Sequence, residues 1–195
     1  MKRTKGRKLT SINFETGEVT WQNPTVLTND PSMRAWGWAV LDGNIICAHG
    51  CIKTAPEHKK QRIRKSDDTS RRAADIIREL LNIIKRYNVK LILSESPHGS
   101  QNANAAIMIG MVTGITVTIS ECLQIPIEFY SEQDAKKAVL NRKAATKEDI
   151  IEAICDRYGY EWLKKIKYID EAVADALAIH YTALQQSQLL KMINK

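Results

Sequence analysis

The chain has 195 residues, 44% of them hydrophobic and 26% charged, with a formal net charge of +7. That length gives one domain with a full core, and the composition is ordinary for a soluble globular protein. No apolar run approaches the ~20 residues of a membrane span, the basic N-terminus has no apolar stretch behind it to make a secretory signal, and the basic excess favours a polyanionic partner, nucleic acid before a membrane surface.

Residues 1–24 read as a basic N-terminal extension. Lys2, Arg3, Lys5, Arg7 and Lys8 make an arm, and Ser11 to Trp21 suits a small hairpin about Thr16-Gly17. Ile12 and Phe14 would share one face of its first strand, Val19 and Trp21 one face of its second. Such a segment either covers a sheet edge or meets phosphates.

The domain proper spans residues 25–195. Thr25 to Gly43 reads strand, sharp turn, strand: Val26 and Leu27 suit a buried strand, Asn29-Asp30-Pro31 breaks it, and Trp36, Trp38 and Val40 restart it. Asp42-Gly43 is a hairpin signal leading to a third strand, Ile45 to Lys53. Ala55 to Lys65 is a polar loop with His58, Lys59, Lys60, Arg62, Arg64 and Lys65, either solvated or touching phosphates. Asp67 or Asp68 caps a helix to about Tyr87, with Ile76, Ile77, Leu80, Leu81 and Ile84 in its apolar stripe.

Lys90 to Ser94 is a short apolar strand ending at Glu95. Ser100 or Asn102 caps a helix to about Gln124, on which Gly110 and Gly114 allow close approach, of the sheet or of a second copy of the chain. Ile125 to Tyr130 is a strand, and Glu132 to Asn141 a short helix carrying Lys136 and Lys137. Thr146, with Asp149 three residues on, caps another helix that Gly159 stops. The last helix starts near Asp170 and has room to continue through the polar tail.

Cys47, His49 and Cys51 alternate on one strand face, but no fourth zinc ligand lies nearby in sequence. With Cys122 and Cys155 they read as core thiols, reduced in a cytoplasmic compartment.

Three acids stand out. Asp30 and Glu95 each end a buried strand, and Asp175 lies on or beside the apolar stripe of the last helix, with Glu171 four residues before it on the same face. Each alone suits a turn or a solvated face. Together they suggest a hard-cation site, because Mg²⁺ takes carboxylate oxygens. The order β-β-β-α-β-α-β-α-α-α describes an α/β fold of ribonuclease H-like architecture: a mixed five-stranded sheet with helices on both faces.

Over roughly residues 25 to 184 the chain resembles the RuvC-type Holliday junction resolvases. The resemblance rests on Asp30-Pro31-Ser32-Met33-Arg34-Ala35-Trp36-Gly37-Trp38-Ala39-Val40, on Gly50-Cys51-Ile52-Lys53-Thr54, on Glu95 followed by Asn102-Ala103 and Gly110, and on Ala174-Asp175-Ala176-Leu177-Ala178-Ile179. It implies a homodimeric, Mg²⁺-dependent endodeoxyribonuclease, with Mn²⁺ an acceptable substitute, that cuts opposed strands of a four-way DNA junction. It makes Asp30, Glu95 and Asp175 metal ligands and places the family's two basic site residues on Lys136 and Lys147. Arg34 and His98 join these lysines as implied DNA contacts.

The chain departs from the family pattern at three positions. Ser32 stands where a Gly follows Asp-Pro. Ala172 stands where the family has its other C-terminal acid, so Glu171, or alternatively Asp170, substitutes. His98 replaces an aromatic that stacks on a base near the junction centre.

Two Mg²⁺ ions ~4 Å apart would serve both ends of an in-line phosphodiester displacement, and ions so close need several carboxylates between them. The alternatives are a flap or branched-DNA nuclease of the same fold and a non-catalytic nucleic-acid-binding protein.

Overall fold

A computed structural model describes residues 9–12, 19–21, 24–96, 98–142, 144–159 and 167–193, with side chains from residue 24 onward. The basic arm, the Thr16-Gly17 turn, Pro97 and Lys143 lie outside the described residues. Within the extension, β1 (Leu9–Ile12) pairs antiparallel with β2 (Val19–Trp21), as the hairpin reading expects.

The domain is built on a five-stranded sheet of order β5-β4-β3-β6-β7. Its strands are β3 (Thr25–Asp30), β4 (Ala35–Asp42), β5 (Ile45–Lys53), β6 (Val89–Ser96) and β7 (Ile127–Ser131). β3 to β5 form an antiparallel meander, and β6 and β7 run parallel to β3. This is the mixed ribonuclease H-like sheet that the order of elements predicts.

β3 is buried on both faces, so its alternation divides the core. Val26 packs with the cluster of α4 (Glu132–Leu140), α5 (Lys147–Tyr158), α6 (Lys167–Gln186) and α7 (Gln188–Ile193). Leu27 points the other way, to α2 (Lys65–Arg86) and α3 (Ala103–Leu123). Each side chain is 1% exposed; truncating a core Leu of this kind typically costs ~2–5 kcal/mol.

The helix caps follow local chemistry. Asn102 accepts the Ala105 N–H at 3.1 Å, Thr146 and Asp149 form a reciprocal capping box, and Gly159 ends α5 at φ 60°. A second box, Ser131 with Asp134, starts α4.

Several expectations need correction. The polar loop contains a one-turn helix, α1 (His58–Gln61). Asp68 does not cap α2; it lies buried and accepts the Glu57 and His58 N–H groups at 2.9 and 3.3 Å, tying α1 to α2. The last helix does not run on, because Ser187 breaks it and its hydroxyl accepts the Leu190 N–H to begin α7. An apolar segment long enough for a bilayer does exist: α3, with 21 residues. Gly110, Thr113, Gly114 and Thr116 interrupt its apolar run and hide that length. In the fold α3 lies on the sheet through Val112, Ile115 and Ile119.

Candidate active site

Asn29 of β3 aligns with Ser94 of β6, so Asp30 and Glu95 follow side by side at the carboxyl ends of two parallel strands. The chain leaves β3 in both directions, to β4 and β5 on one side and to β6 and β7 on the other. The crevice at such a switch point is where open α/β sheets bind ligands.

Asp175 reaches this crevice on α6, which is seated very closely on the sheet. Thr28 donates its hydroxyl to the Ala176 carbonyl at 2.5 Å. Gly37, paired with Asp30 across β3 and β4, meets the same helix: a Cβ there would stand 2.0 Å from the Ala172 carbonyl oxygen. Only glycine permits that approach, so Gly37 sets the depth at which α6 carries Asp175.

The three carboxylates act on one another. Burial and then the charges of Glu95 and Asp175 hold the Asp30 carboxyl well above the usual carboxylate range. Burial, followed by Asp175 and Glu132, pushes Glu95 up to about 7. Burial pushes Asp175 up to about 6, with Lys147 opposing the shift and Glu132 and Glu171 adding to it. Among the described residues, no three His, Cys, Asp or Glu side chains are drawn tightly enough to enclose an ion as they stand. The acids share a field rather than a coordination sphere. Their donor set is nevertheless suited to a hard divalent cation: oxygen ligands, mutual repulsion, and a partly desolvated crevice.

Lys147 begins α5 and donates to Glu171 at 2.9 Å, a bond that raises its own proton affinity. One Glu171 oxygen thus accepts from a lysine, and the charge of Glu171 registers at Asp175. Lys136 is bonded to Glu132 at 2.5 Å, and His98 Nε2 stands 3.5 Å from the other Glu132 oxygen. Asp170 feels burial and His49 instead. Both lysines oppose the upward shifts of Glu95 and Asp175.

The turn after Asp30 is held from three sides. The Ser32 hydroxyl accepts the Arg34 N–H at 3.3 Å, which closes the turn where the family pattern has a glycine. Trp36 donates its indole N–H to Asn29 at 3.1 Å. Buried Arg72, from α2, donates to the Met33 carbonyl at 2.7 Å and to the Thr54 hydroxyl at 2.8 Å. Arg34 itself points its exposed side chain from this turn.

The structure therefore brings together Asp30, Glu95, Asp175, Glu171, Lys136, Lys147 and His98, and puts Arg34 on the adjoining turn. Sequence reasoning missed Glu132 and Arg72. A signal existed for Glu132, since it is the first residue after a strand parallel to the one bearing Glu95. Among the described residues, Cys47, His49 and Cys51 build no metal cluster, and the four cysteines form no disulfide.

A family model described as crossover junction endodeoxyribonuclease RuvC matches residues 26–183. The crossover junction endodeoxyribonuclease RuvC of Pseudothermotoga lettingae is 30% identical, over 77% of this chain and 87% of that protein. That of Methylococcus capsulatus is 22% identical, over 87% and 96%. Among solved structures, T. thermophilus RuvC in complex with Holliday junction substrate superposes with a TM-score of 0.66 at 19% identity, covering 83% of this chain and 93% of that one. The yeast mitochondrial Holliday junction resolvase Ydc2 gives 0.59 at 16%, covering 88% and 83%.

Proposed function

This chain belongs to the RuvC family of crossover junction endodeoxyribonucleases, and on that footing we propose that it resolves four-way (Holliday) DNA junctions by metal-dependent hydrolysis in paired strands. The observation that carries the reading is the meeting of Asp30, Glu95 and Asp175, from three elements far apart in sequence, at the carboxyl end of the sheet.

In this reading the three carboxylates hold Mg²⁺, or Mn²⁺ in its place, as two ions per site. Bound there, divalent cations supply charge that activates the attacking water and stabilises the leaving oxygen. The chain's own residues do the rest. Asp30 and Glu95 are fixed by paired strands, so their spacing is rigid. Asp175 is fixed by the α6 seat at Gly37. Lys147, oriented by Glu171, neutralises phosphate charge beside the acids, and Lys136 does so from α4. Arg34 and His98 meet the DNA around the crevice, and the exposed Lys59, Lys60 and Arg62 extend a basic rim. The active domain spans residues 25–195, and residues 1–24 add a basic extension.

The enzyme works as a homodimer, because opposed cuts need two sites. α3 offers a suitable surface: Ile107, Gly110, Gly114 and Val117 form an exposed stripe, and a Cβ added at either glycine would meet nothing within 4 Å. The glycines thus do not serve packing on the sheet. Its place of action is the cytoplasm, with the DNA.

The test uses labelled four-way junction, flap and linear duplex, each with and without Mg²⁺. The reading expects symmetric nicks in the junction alone and only with metal. Equal cutting of linear duplex would overturn the assignment of substrate.

A further inference from the structure

We infer that Arg72, buried in the N-terminal half of α2, is a positioning residue that aims Arg34 at the DNA; the inference rests on the nuclease reading above. Arg34 stands on the turn between β3 and β4, just after Asp30, and its side chain is exposed. Among the described residues its guanidinium has no hydrogen-bond or ion-pair partner. Its backbone, by contrast, is held on both sides of the Cα.

In the peptide unit before that Cα, the Arg34 N–H donates to the Ser32 hydroxyl at 3.3 Å and the Met33 carbonyl accepts from Arg72 at 2.7 Å. In the unit after it, the Arg34 carbonyl accepts the Thr54 N–H at 3.1 Å, and the Ala35 N–H faces the Ser32 hydroxyl at 3.5 Å. Each peptide unit is planar. Fixing both planes therefore fixes the direction in which the Arg34 side chain leaves the turn.

Arg72 and Thr54 are the parts of this mount that come from outside the turn. Arg72 Nε donates to the Thr54 hydroxyl at 2.8 Å, and that hydroxyl donates in turn to the Met33 carbonyl. One carbonyl thus has donors from α2 and from the residue just past β5. The Met33 side chain is itself buried in the core on the α2 and α3 side of the sheet, which anchors the same residue from below.

The choice of an arginine is informative. Among the described residues Arg72 donates to no carboxylate; Asp68, four residues before it, is bonded to Arg71. Burying a guanidinium on two neutral acceptors is an unfavourable way merely to close a loop. What it provides is geometry, because a planar fork holds two acceptors at once where a lysine offers a point charge. That fork is directed at a turn bearing an exposed, unpartnered arginine beside the acids, and a phosphate oxygen is what such an arginine meets on DNA.

The test is a fluorescence-anisotropy titration of a labelled four-way junction with the full-length protein, without Mg²⁺, at several NaCl concentrations. The variants are Arg34→Ala, Arg72→Lys, Thr54→Val and the two doubles that join Arg34→Ala to each of the others. Arg72→Lys keeps the charge and loses the fork. Thr54→Val keeps the shape and loses the shared hydroxyl, and it carries the test alone if the buried lysine prevents folding. Arg34→Ala is expected to weaken binding ~10-fold at about 50 mM NaCl, and to lower the slope of log affinity against log salt by ~0.9 for each protomer in contact. Arg72→Lys and Thr54→Val are expected to cost ~3–10-fold when Arg34 is present and less than about twofold when it is absent. Their cleavage rate at saturating junction with Mg²⁺ should stay within about threefold of wild type, because Asp30 keeps its pairing with Gly37.

A merely structural role for Arg72 would give the same loss in both backgrounds, and that result would overturn the inference. So would unchanged affinity in Thr54→Val, or a fall in cleavage rate with affinity intact, which would mean that the mount serves Asp30 instead. A wild-type protein that binds linear duplex as tightly as the junction would overturn the junction reading beneath it.

Discussion

Asp68 and Asp30 are both carboxylates withdrawn from water, in opposite electrical surroundings. Asp68 receives Arg71 at 2.8 Å and two backbone N–H groups, and these partners, Arg71 foremost, hold its carboxyl down to about 2. Asp30 is given burial and the charges of Glu95 and Asp175, and its carboxyl is held well up. The first arrangement satisfies an acid so that it can tie α1 to α2. The second leaves acids in mutual repulsion, which a fold tolerates only where it serves a ligand.

The comparison breaks most sharply at Asp30→Asn. Loss of an outer-shell group typically costs 10–100-fold, so removing a direct ligand is expected to lower junction cleavage by more than ~100-fold. Junction affinity, set by basic groups, should stay within about threefold in a gel-shift assay. The metal-free variant should also melt at higher temperature than wild type at pH 8, because a repelling charge is gone. A variant that cuts near the wild-type rate contradicts the account.

Gly37→Ala should come next. Its Cβ would meet the Ala172 carbonyl oxygen, so α6 must shift and take Asp175 with it. Cleavage is expected to fall ~10–100-fold, with ~1–3 kcal/mol lost in denaturant unfolding, as for overpacking. Unchanged activity would mean that the seat of α6 does not set the site.

The pH dependence sharpens the contrast. Glu95 at about 7 and Asp175 at about 6 are raised above ordinary carboxylates, so the folded state binds more protons than the unfolded one between about pH 4 and 7. Their contribution is present below about pH 4 and is lost as pH rises through 6 and 7. Metal-free protein should lose on the order of 4 kcal/mol from these groups between pH 5 and pH 8, and Mn²⁺ should restore stability at pH 8. Asp68 runs the other way: depressed to about 2, it stabilises above about pH 4 and fails as pH falls through 2. Denaturant melts at several pH values check both signs.

The smallest effect on cleavage should be that of Asp68→Asn. It lowers the Tm by leaving Arg71 and the α1 backbone short of a partner, yet the rate per folded molecule should hold. A variant that keeps its Tm and loses cleavage would erase the distinction drawn here.

Much of this was legible in the sequence because the informative residues announce themselves locally. Asp30 breaks a strand, Glu95 ends one, and Asp175 interrupts a stripe of small apolar residues. Val26 and Leu27, consecutive and both apolar, suit a buried strand, and the sheet places that strand at its centre. Glu132 was silent, because an acid in the first turn of a helix is the ordinary answer to the helix dipole. Its meaning depends on β7 lying beside β6, a contact between distant segments. Arg72 reads as the solvent side of an amphipathic helix, and only the turn after Asp30 gives it a buried carbonyl to hold. Asp68 was mistaken for a cap of its own helix because its partners, Glu57 and His58, belong to a helical turn too short to leave a periodic signal.

The central claim is that one cation site is shared by acids from the two strands and α6. The most direct measurement is anomalous diffraction from crystals of the protein soaked in Mn²⁺. The account predicts Mn²⁺ density within ~2.1 Å of oxygens from Asp30, Glu95 and Asp175. Mn²⁺ bound elsewhere on the protein, with these three carboxylates untouched, would contradict it.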